Sequence, residues 1–220
     1  MIKNLFFDLD DTIIKDDKSD AEVYKKALRK CGYNEDDYLN IYVAIDKYES
    51  IFTEEYNLYD KKEIIDFINK TLNKNYSYNL IDELLRESSK WTKRVILTED
   101  IVRKLSKKYN LYIYTNYFKA SQVKRIETIG YSKYFKKIFS ADVYGSKPFK
   151  SAFQKILDEI GAIPEECMLI GDTKSKDILA ANNIGMKSIL YDYNGKRDNK
   201  EVEAENYVVI RNIEELLEIL

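Results

Sequence analysis

Two sequence textures alternate along much of the chain, and this alternation constrains the fold more than any other feature. Short apolar runs, each bounded by polar residues, are typical of buried strands; they lie at residues 5–7, 111–114, 138–139, 168–170, 188–191 and 207–210. Between them lie helical patterns at residues 99–109, 118–130, 149–160, 177–184 and 212–220. Strands that are apolar throughout are typical of parallel sheets covered on both faces. The sequence therefore predicts an α/β fold, a doubly wound parallel Rossmann-like sheet.

Residues 16–94 interrupt this alternation. They contain no convincing strand, but Ser19-x-x-Glu22 and Asp60-x-x-Glu63 resemble the capping boxes that begin helices. A crossover between parallel strands needs one helix, so several helices here indicate a separate unit. We expect residues 1–15 and 95–220 to form the core, with residues 16–94 inserted as an all-helical cap subdomain.

The amino-acid composition restricts the chemistry available to the protein. The 220 residues include no histidine, which excludes Ser–His and Cys–His nucleophilic pairs and imidazole metal sites. The two cysteines, Cys31 and Cys167, are too few for a disulfide framework or a zinc site. Any reaction must therefore depend on carboxylates, lysines, hydroxyls and metals bound through oxygen.

Charge and hydropathy argue against several classes of partner. The net charge of −2 lacks the basic excess of a nucleic-acid-binding protein. No apolar run approaches the roughly 18–20 residues of a membrane-spanning helix, and the first residues lack the apolar stretch of a signal peptide. We expect a cytoplasmic protein that binds neither nucleic acid nor membrane. Nothing demands more than a monomer, and a dimer stays open.

The first predicted strand ends in two closely spaced carboxylates, Asp8 and Asp10. Side chains alternate along an extended chain, so both leave on the same side. Carboxylates this close repel each other and raise each other's pKa unless a cation lies between them. Ligands of open parallel sheets bind at the carboxyl ends of the strands, which is where this pair is expected.

Polar residues also follow the later strands. Thr115 and Asn116 end the second strand, Lys147 follows the third, and Asp172 and Asp177 follow the fourth. Each of these is an ordinary turn or surface residue when it is taken alone, but together and in this order they indicate a site. Several oxygen ligands without histidine or thiolate are typical of magnesium.

This pattern resembles the haloacid dehalogenase (HAD) superfamily of aspartate-nucleophile phosphohydrolases. Residues 6–12 resemble its first motif, DxDxT, and residues 114–116, 147–148 and 171–177 resemble the second, third and fourth. The resemblance covers residues 3–12 and about 97–220, whereas the helical part is similar only in position and helix content. Phe149-Lys150 departs from relatives that carry an acid after the proline, and we expect this to affect helix capping.

The resemblance implies a role for each motif residue. Asp8 would attack phosphorus and form an aspartyl-phosphate, and Asp10, the acid expected to carry a raised pKa, would protonate the leaving oxygen and then deprotonate water. Groups that hold the phosphoryl oxygens are implied at Thr115, Asn116, Lys147 and Asp11. Ligands of Mg²⁺ are implied at Asp8, the backbone carbonyl of Asp10, Asp172 and Asp177, the last directly or through water.

The expected activity is Mg-dependent hydrolysis of a small phosphorylated metabolite. Dehalogenases of the superfamily lack the second acid of the first motif, so Asp10 favours phosphate over halide. The alternatives are a phosphomutase with the same intermediate, a signalling phosphoacceptor of the receiver type, or a non-catalytic interaction protein. Nucleotides, sugar phosphates and phosphoglycolate all stay open as substrates.

The helical insert offers few clear substrate-binding residues. Basic residues that could contact an anionic substrate, though solvated helix-face charges are the simpler expectation, are Lys47, Arg86, Lys90 and Arg94. Aromatic residues expected to pack within the insert are Tyr42, Tyr48 and Trp91.

Overall fold

The computed structural model describes residues 1–16, 19–90, 93–193, 195 and 203–220, so Trp91 lies outside the described residues. The strands, in chain order, are β1 (Asn4–Phe7), β2 (Ile14–Asp16), β3 (Lys93–Val95), β4 (Asn110–Thr115), β5 (Lys137–Ser140), β6 (Cys167–Gly171), β7 (Lys187–Tyr191) and β8 (Tyr207–Ile210). In the described part of the chain, six of them form a parallel sheet in the order β5-β4-β1-β6-β7-β8. The predicted doubly wound parallel sheet is confirmed.

The helices of the sheet region alternate with the strands as the sequence predicts, except that the short helix at residues 141–144 was not predicted. They are α5 (Glu99–Ser106), α6 (Lys119–Thr128), α7 (Ala141–Tyr144), α8 (Lys150–Ile160), α9 (Leu179–Ile184) and α10 (Leu216–Ile219). A π-helical turn, Lys174–Ile178, precedes α9. The chain leaves β1 for β4 on one side and later returns to β6 on the other. This reversal of strand order opens a crevice at the carboxyl end of β1, where ligands of such sheets bind.

Strand β1 is buried on both faces, which holds its carboxyl end in the middle of the sheet. Leu5 and Phe7 belong to one apolar cluster, and Phe6 belongs to the cluster on the opposite face. Phe7 is level with Ile113 of β4 and Ile170 of β6, so the three strands end side by side. The polar residues that follow them are therefore neighbours.

Between β1 and β4 the chain forms the helices α1 (Asp20–Lys30), α2 (Tyr38–Ser50), α3 (Lys61–Leu72) and α4 (Asn79–Ser88). They share an apolar cluster in which Tyr48 is buried. Of the basic residues singled out from the sequence, Arg86 pairs with Glu83 and Lys90 pairs with Glu87. No helix among the described residues is long and apolar enough to cross a membrane.

The two ends of this helical segment are joined by a short antiparallel pair that the sequence did not predict. Ile14 of β2 lies opposite Val95 of β3. Each strand has three residues, which is too short for a period of two to be recognised, so the prediction of no strand near these boundaries was wrong.

The predicted helix starts differ in how they are capped. Asp60 accepts a hydrogen bond from the backbone N–H of Glu63 at 3.0 Å, whereas Ser19 makes no such bond. Helix α8 begins after Phe149, and Glu54 of the inserted segment accepts from the backbone N–H of Lys150 at 3.3 Å. A carboxylate of the insert therefore caps the start of α8.

Glu87 of α4 is a buried carboxylate paired with Lys26, Lys30 and Lys90 at 3.1, 2.5 and 2.8 Å. Burial by itself would raise the pKa of Glu87, but these lysines outweigh it and lower the pKa from 4.5 to about 2. A lowered folded-state pKa stabilises the fold above the unfolded pKa, and this stabilisation is lost as the pH falls through the folded pKa.

We expect Glu87→Gln to lower the free energy of unfolding by about 1–3 kcal/mol at pH 7, because three lysines lose their carboxylate partner. Urea unfolding between pH 7 and pH 2.5 measures this. The difference in unfolding free energy between wild type and variant should become smaller as the pH falls from about 4.5 towards 2. A gap that stays constant across this range would contradict the prediction.

Candidate active site

The polar residues predicted to form the site meet at the carboxyl ends of β1, β4 and β6. They line a cavity of about 290 Å³. Its lining residues are Asp8, Asp10, Asp11, Thr115, Asn116, Lys147, Asp172, Thr173, Lys176 and Asp177. Every residue that the sequence singled out for catalysis, phosphate binding or metal binding is therefore at this cavity.

Lys147 is one of the residues that line this cavity. Its Nζ atom donates hydrogen bonds to Asp8 Oδ1 and to Asp177 Oδ1, both at 2.6 Å. Its side chain is 2% exposed, and the peptide bond to Pro148 is cis. Burial by itself would lower the pKa of Lys147, but the charges of Asp177 and Asp8 outweigh it and raise the pKa, so the ammonium stays charged.

The backbone of Lys147 is held by Asn116. Asn116 Nδ2 donates to the carbonyl of Lys147 at 2.9 Å, and its Oδ1 accepts from the N–H of Lys147 at 2.7 Å. Two residues before Lys147, Gly145 has a φ of 101°. Gly145 also lies so close to the insert that a Cβ on it would be 2.2 Å from Asn57 Oδ1. Asn116 thus has a positioning contact, and its phosphate-binding role stays a prediction.

Asp8, Asp172 and Asp177 form a buried group of carboxylates whose ligand atoms lie within 4.8 Å of one another. Burial raises the pKa of Asp8 well above its usual value, Lys147 acts in the opposite direction, and the negative charges of Asp177, Asp172 and Asp10 raise it further. Crowded carboxylates of this kind are stabilised by a cation with a preference for oxygen ligands. The donor set therefore fits Mg²⁺.

Gly171 explains how Asp177 reaches this group. A Cβ at Gly171 would lie 2.2 Å from the carboxyl carbon of Asp177, so a side chain at Gly171 would displace that carboxylate. Asp177 Oδ2 also accepts from the backbone N–H of Thr173 at 3.0 Å. The glycine before Asp172 is needed for close approach, which the sequence alone did not reveal.

The carboxylate of Asp10 is not part of that group but faces helix α6. Arg125 binds it with both terminal nitrogens, Nη1 donating to Oδ2 at 3.1 Å, and Gln122 Nε2 donates to the same oxygen at 3.1 Å. Gln122 Nε2 also donates to Thr115 Oγ1 at 2.8 Å. Arg125 Nη2 reaches Asp16 Oδ1 at 2.9 Å, which connects Asp10 to strand β2 at the edge of the insert.

Sequence analysis missed Gln122 and Arg125, although both are buried beside predicted site residues. The available signal was their spacing, because Gln122, Arg125 and the apolar Ile126 recur on one face of α6. Polar residues on the buried face of a helix that follows a site strand are candidates for contacts to that site.

A second cavity of about 310 Å³ lies between the insert and the sheet region. Its lining residues are Asp10, Asp16, Asp20, Val23, Tyr24, Tyr42, Ile45, Asp46, Glu49, Ser88, Tyr117, Arg125 and Lys176. Asp10 and Lys176 line both cavities, so the two adjoin. Burial raises the pKa of Asp20, and the like charges of Asp16 and Asp10 raise it further.

Comparisons with known proteins show which proteins this chain is similar to. A family model described as haloacid dehalogenase-like hydrolase matches residues 5–191. Glyceraldehyde 3-phosphate phosphatase of Pyrococcus furiosus is 28% identical over 100% of this chain and 93% of its own length. The enzyme of the same name from Methanothermobacter thermautotrophicus is 26% identical over the full length of both chains.

Solved structures show the same fold. The magnesium-bound structure of the HAD-hydrolase YfnB from Bacillus subtilis superposes with a TM-score of 0.74 at 22% identity, covering 99% of this chain and 98% of that one. A HAD phosphatase from Thermococcus onnurineus gives a TM-score of 0.67 at 22% identity, covering 99% and 97%. At this level of identity, the superpositions support the architecture alone.

Proposed function

Because the chain belongs to the haloacid dehalogenase-like hydrolase family, we propose that it is a Mg-dependent phosphatase that hydrolyses a small phosphate monoester through an aspartyl-phosphate on Asp8. The single observation that carries this proposal is the position of Lys147 Nζ, 2.6 Å from the carboxylates of both Asp8 and Asp177. These three buried groups come from distant parts of the sequence and line one cavity.

The nucleophile of the proposed reaction is Asp8. A phosphate monoester is dianionic, so a carboxylate that approaches it is repelled unless positive charge lies at the point of attack. The ammonium of Lys147 supplies one such charge, and the hydroxyl of Thr115 can donate to a phosphoryl oxygen. A covalent intermediate divides one difficult displacement into two easier ones.

Asp10 is the proposed general acid and base. Its carboxylate has to give a proton to the leaving oxygen and later take one from water, so it must point at the reacting groups when they are bound. Arg125 and Gln122 hold it at the junction of the two cavities. We assign both residues a positioning role, because they contact Asp10 but do not themselves line the cavity of about 290 Å³.

Mg²⁺ is the proposed cofactor, with the carboxylates of Asp8, Asp172 and Asp177 and the backbone carbonyl of Asp10 as its ligands. When bound, the ion would offset the negative charge of the ester and of the acidic group. Lys147 offsets the same charges through its bonds to Asp8 and Asp177.

The helical segment 16–94 is the proposed cap, and residues 1–15 and 95–220 are the proposed core. Two observations support this division. Most residues of one apolar cluster come from these helices, with Phe118 and Ala141 added from the sheet region. The segment is also joined to the core through the short pair β2–β3. The proposed binding partner is the small phosphate ester, which would bind between the cap and the core.

The function is tested by measuring the release of inorganic phosphate from p-nitrophenyl phosphate in two conditions. One contains about 5 mM Mg²⁺ and the other contains EDTA. We expect activity with Mg²⁺ and a loss of about 100-fold or more in EDTA that added Mg²⁺ restores. Equal rates in both conditions would refute the cofactor. No phosphate release from any monoester would refute the hydrolase, and isomerised product without free phosphate would indicate a mutase.

A further inference from the structure

The larger cavity adjoins the proposed phosphate site on the side of Asp10. Asp10 and Lys176 line both cavities, whereas Asp8, Thr115 and Lys147 line only the smaller one. A general acid must touch the oxygen that departs, so the alcohol part of the ester has to lie beside Asp10. The larger cavity is therefore where the leaving alcohol is placed, a conclusion that rests on the proposed function.

This cavity is strongly acidic. Among the described residues, its lining carries five carboxylates and two cationic side chains. The carboxylates are those of Asp10, Asp16, Asp20, Asp46 and Glu49, and the cations are Arg125 and Lys176. The negative charge therefore exceeds the positive charge wherever the leaving alcohol would lie.

Both cations are already engaged by carboxylates. Arg125 is buried and binds Asp10 and Asp16, so its positive charge is offset by two carboxylates of the cavity wall. Lys176 lies 3.8 Å from Glu49 and stands at the junction with the phosphate site. A second anionic group on the substrate would thus compete for these cations and face Asp20 and Asp46.

The acidic residues of the insert are arranged on helix faces that point at the cavity. On α2, Tyr42, Asp46 and Glu49 recur at the spacing of one helix face. On α1, Asp20 and Tyr24 stand four residues apart on another such face. The carboxylates therefore line the cavity as hydrogen-bond acceptors, and the tyrosine rings line it as an aromatic surface.

We propose that this cavity selects the leaving alcohol by charge: it favours an alcohol that carries a protonated amine, accepts a neutral polyol less well and rejects one that carries a second anionic group. The carboxylates of Asp20 and Asp46 accept hydrogen bonds from the ammonium or hydroxyl groups. Tyr24 and Tyr42, whose rings contact edge to face at 5.8 Å, cover the apolar side of the alcohol.

The test compares esters of matched size, using phosphate release by the full-length protein with Mg²⁺. We expect kcat/KM to fall about tenfold at each step from glucosamine 6-phosphate to glucose 6-phosphate to 6-phosphogluconate. N-acetylglucosamine 6-phosphate, which loses the charge but keeps the nitrogen, should behave like the neutral ester. O-phosphoethanolamine distinguishes an amino alcohol from an amino sugar, and glyceraldehyde 3-phosphate should exceed 3-phosphoglycerate by about tenfold.

Two variants assign this preference to the insert. Asp46→Asn and Asp20→Asn keep the shape of the side chain and remove its charge. Each should raise KM for the amine-bearing ester several-fold, with little change for the neutral ester. Glu22→Gln is the matched control because Glu22 lies exposed on α1 and away from the cavity; it should leave all rates unchanged.

The outcomes separate this inference from the function on which it rests. Hydrolysis of p-nitrophenyl phosphate with no order among the charged esters, or with 6-phosphogluconate preferred, overturns the charge selection and leaves the phosphatase intact. Loss of preference in Glu22→Gln as well as in Asp46→Asn overturns the assignment to the cavity. Absence of phosphate release from every ester removes both proposals.

Discussion

Asp8→Asn is expected to lower phosphatase turnover by about 10⁴-fold or more, because an amide cannot attack phosphorus as a carboxylate does. Asp8 lies directly after β1, beside Lys147 and among the carboxylates of the acidic group. The measurement is kcat with p-nitrophenyl phosphate and Mg²⁺, together with acid-quench trapping of the phosphorylated protein. Wild type should form the acyl phosphate, and the variant should not.

The same substitution is expected to leave the fold intact. Asparagine has the shape of aspartate, and Lys147 keeps Asp177 as a buried carboxylate partner in the variant. Burial also raises the pKa of Asp8, so the loss of its charge costs less than the loss of Lys147. The melting temperature should therefore stay close to that of wild type. Asp158→Asn, at an exposed position of α8, is the control for charge removal and should keep full activity. A fully active Asp8→Asn protein would contradict the nucleophile assignment.

Lys147→Met is expected to reduce both activity and stability. Removal of one donor that stabilises developing negative charge costs about 10²–10³ in kcat. The variant also leaves Asp8 and Asp177 buried without the ammonium, and breaking a buried ion pair from one side costs about 3–5 kcal/mol of unfolding free energy. Steady-state kinetics and urea unfolding at pH 7 measure the two effects.

Added Mg²⁺ provides a sharper test of the same site. If the cation and Lys147 offset the same carboxylates, Mg²⁺ should raise the unfolding free energy of Lys147→Met more than that of wild type. Lys155→Met, at an exposed position of α8, is the matched control and should behave like wild type. Equal stabilisation of all three proteins by Mg²⁺ would argue that the metal binds elsewhere.

The positions of the candidate site residues could be predicted because each motif is a local property of the chain. An apolar run followed by Asp8 and Asp10 specifies a strand and its polar end within a few residues. The parallel sheet then aligns such ends, and Lys147 and Asp172 arrive at the same cavity.

The neighbours of Asp10 could not be predicted in the same way. Arg125 is 115 residues away in the chain, and its contact depends on how α6 is oriented on the sheet. Asp10 was expected from its proposed role to carry a raised pKa. That raised pKa stays a prediction, and the structure adds that the carboxylate of Asp10 is bound by a buried arginine.

The alternation of strands and helices along the chain and the acidic end of β1 follow from patterns of neighbouring residues, and the exclusion of imidazole chemistry follows from the lack of histidine. Three other features depend instead on contacts between distant segments. They are the acidic second cavity, the ion pairs of Arg125 with Asp10 and Asp16, and the capping of α8 by Glu54. Periodicity reports which side of an element is buried but not which other element covers it. The proposed selection of the leaving alcohol depends on which elements cover each other, so it could be inferred only from the tertiary structure.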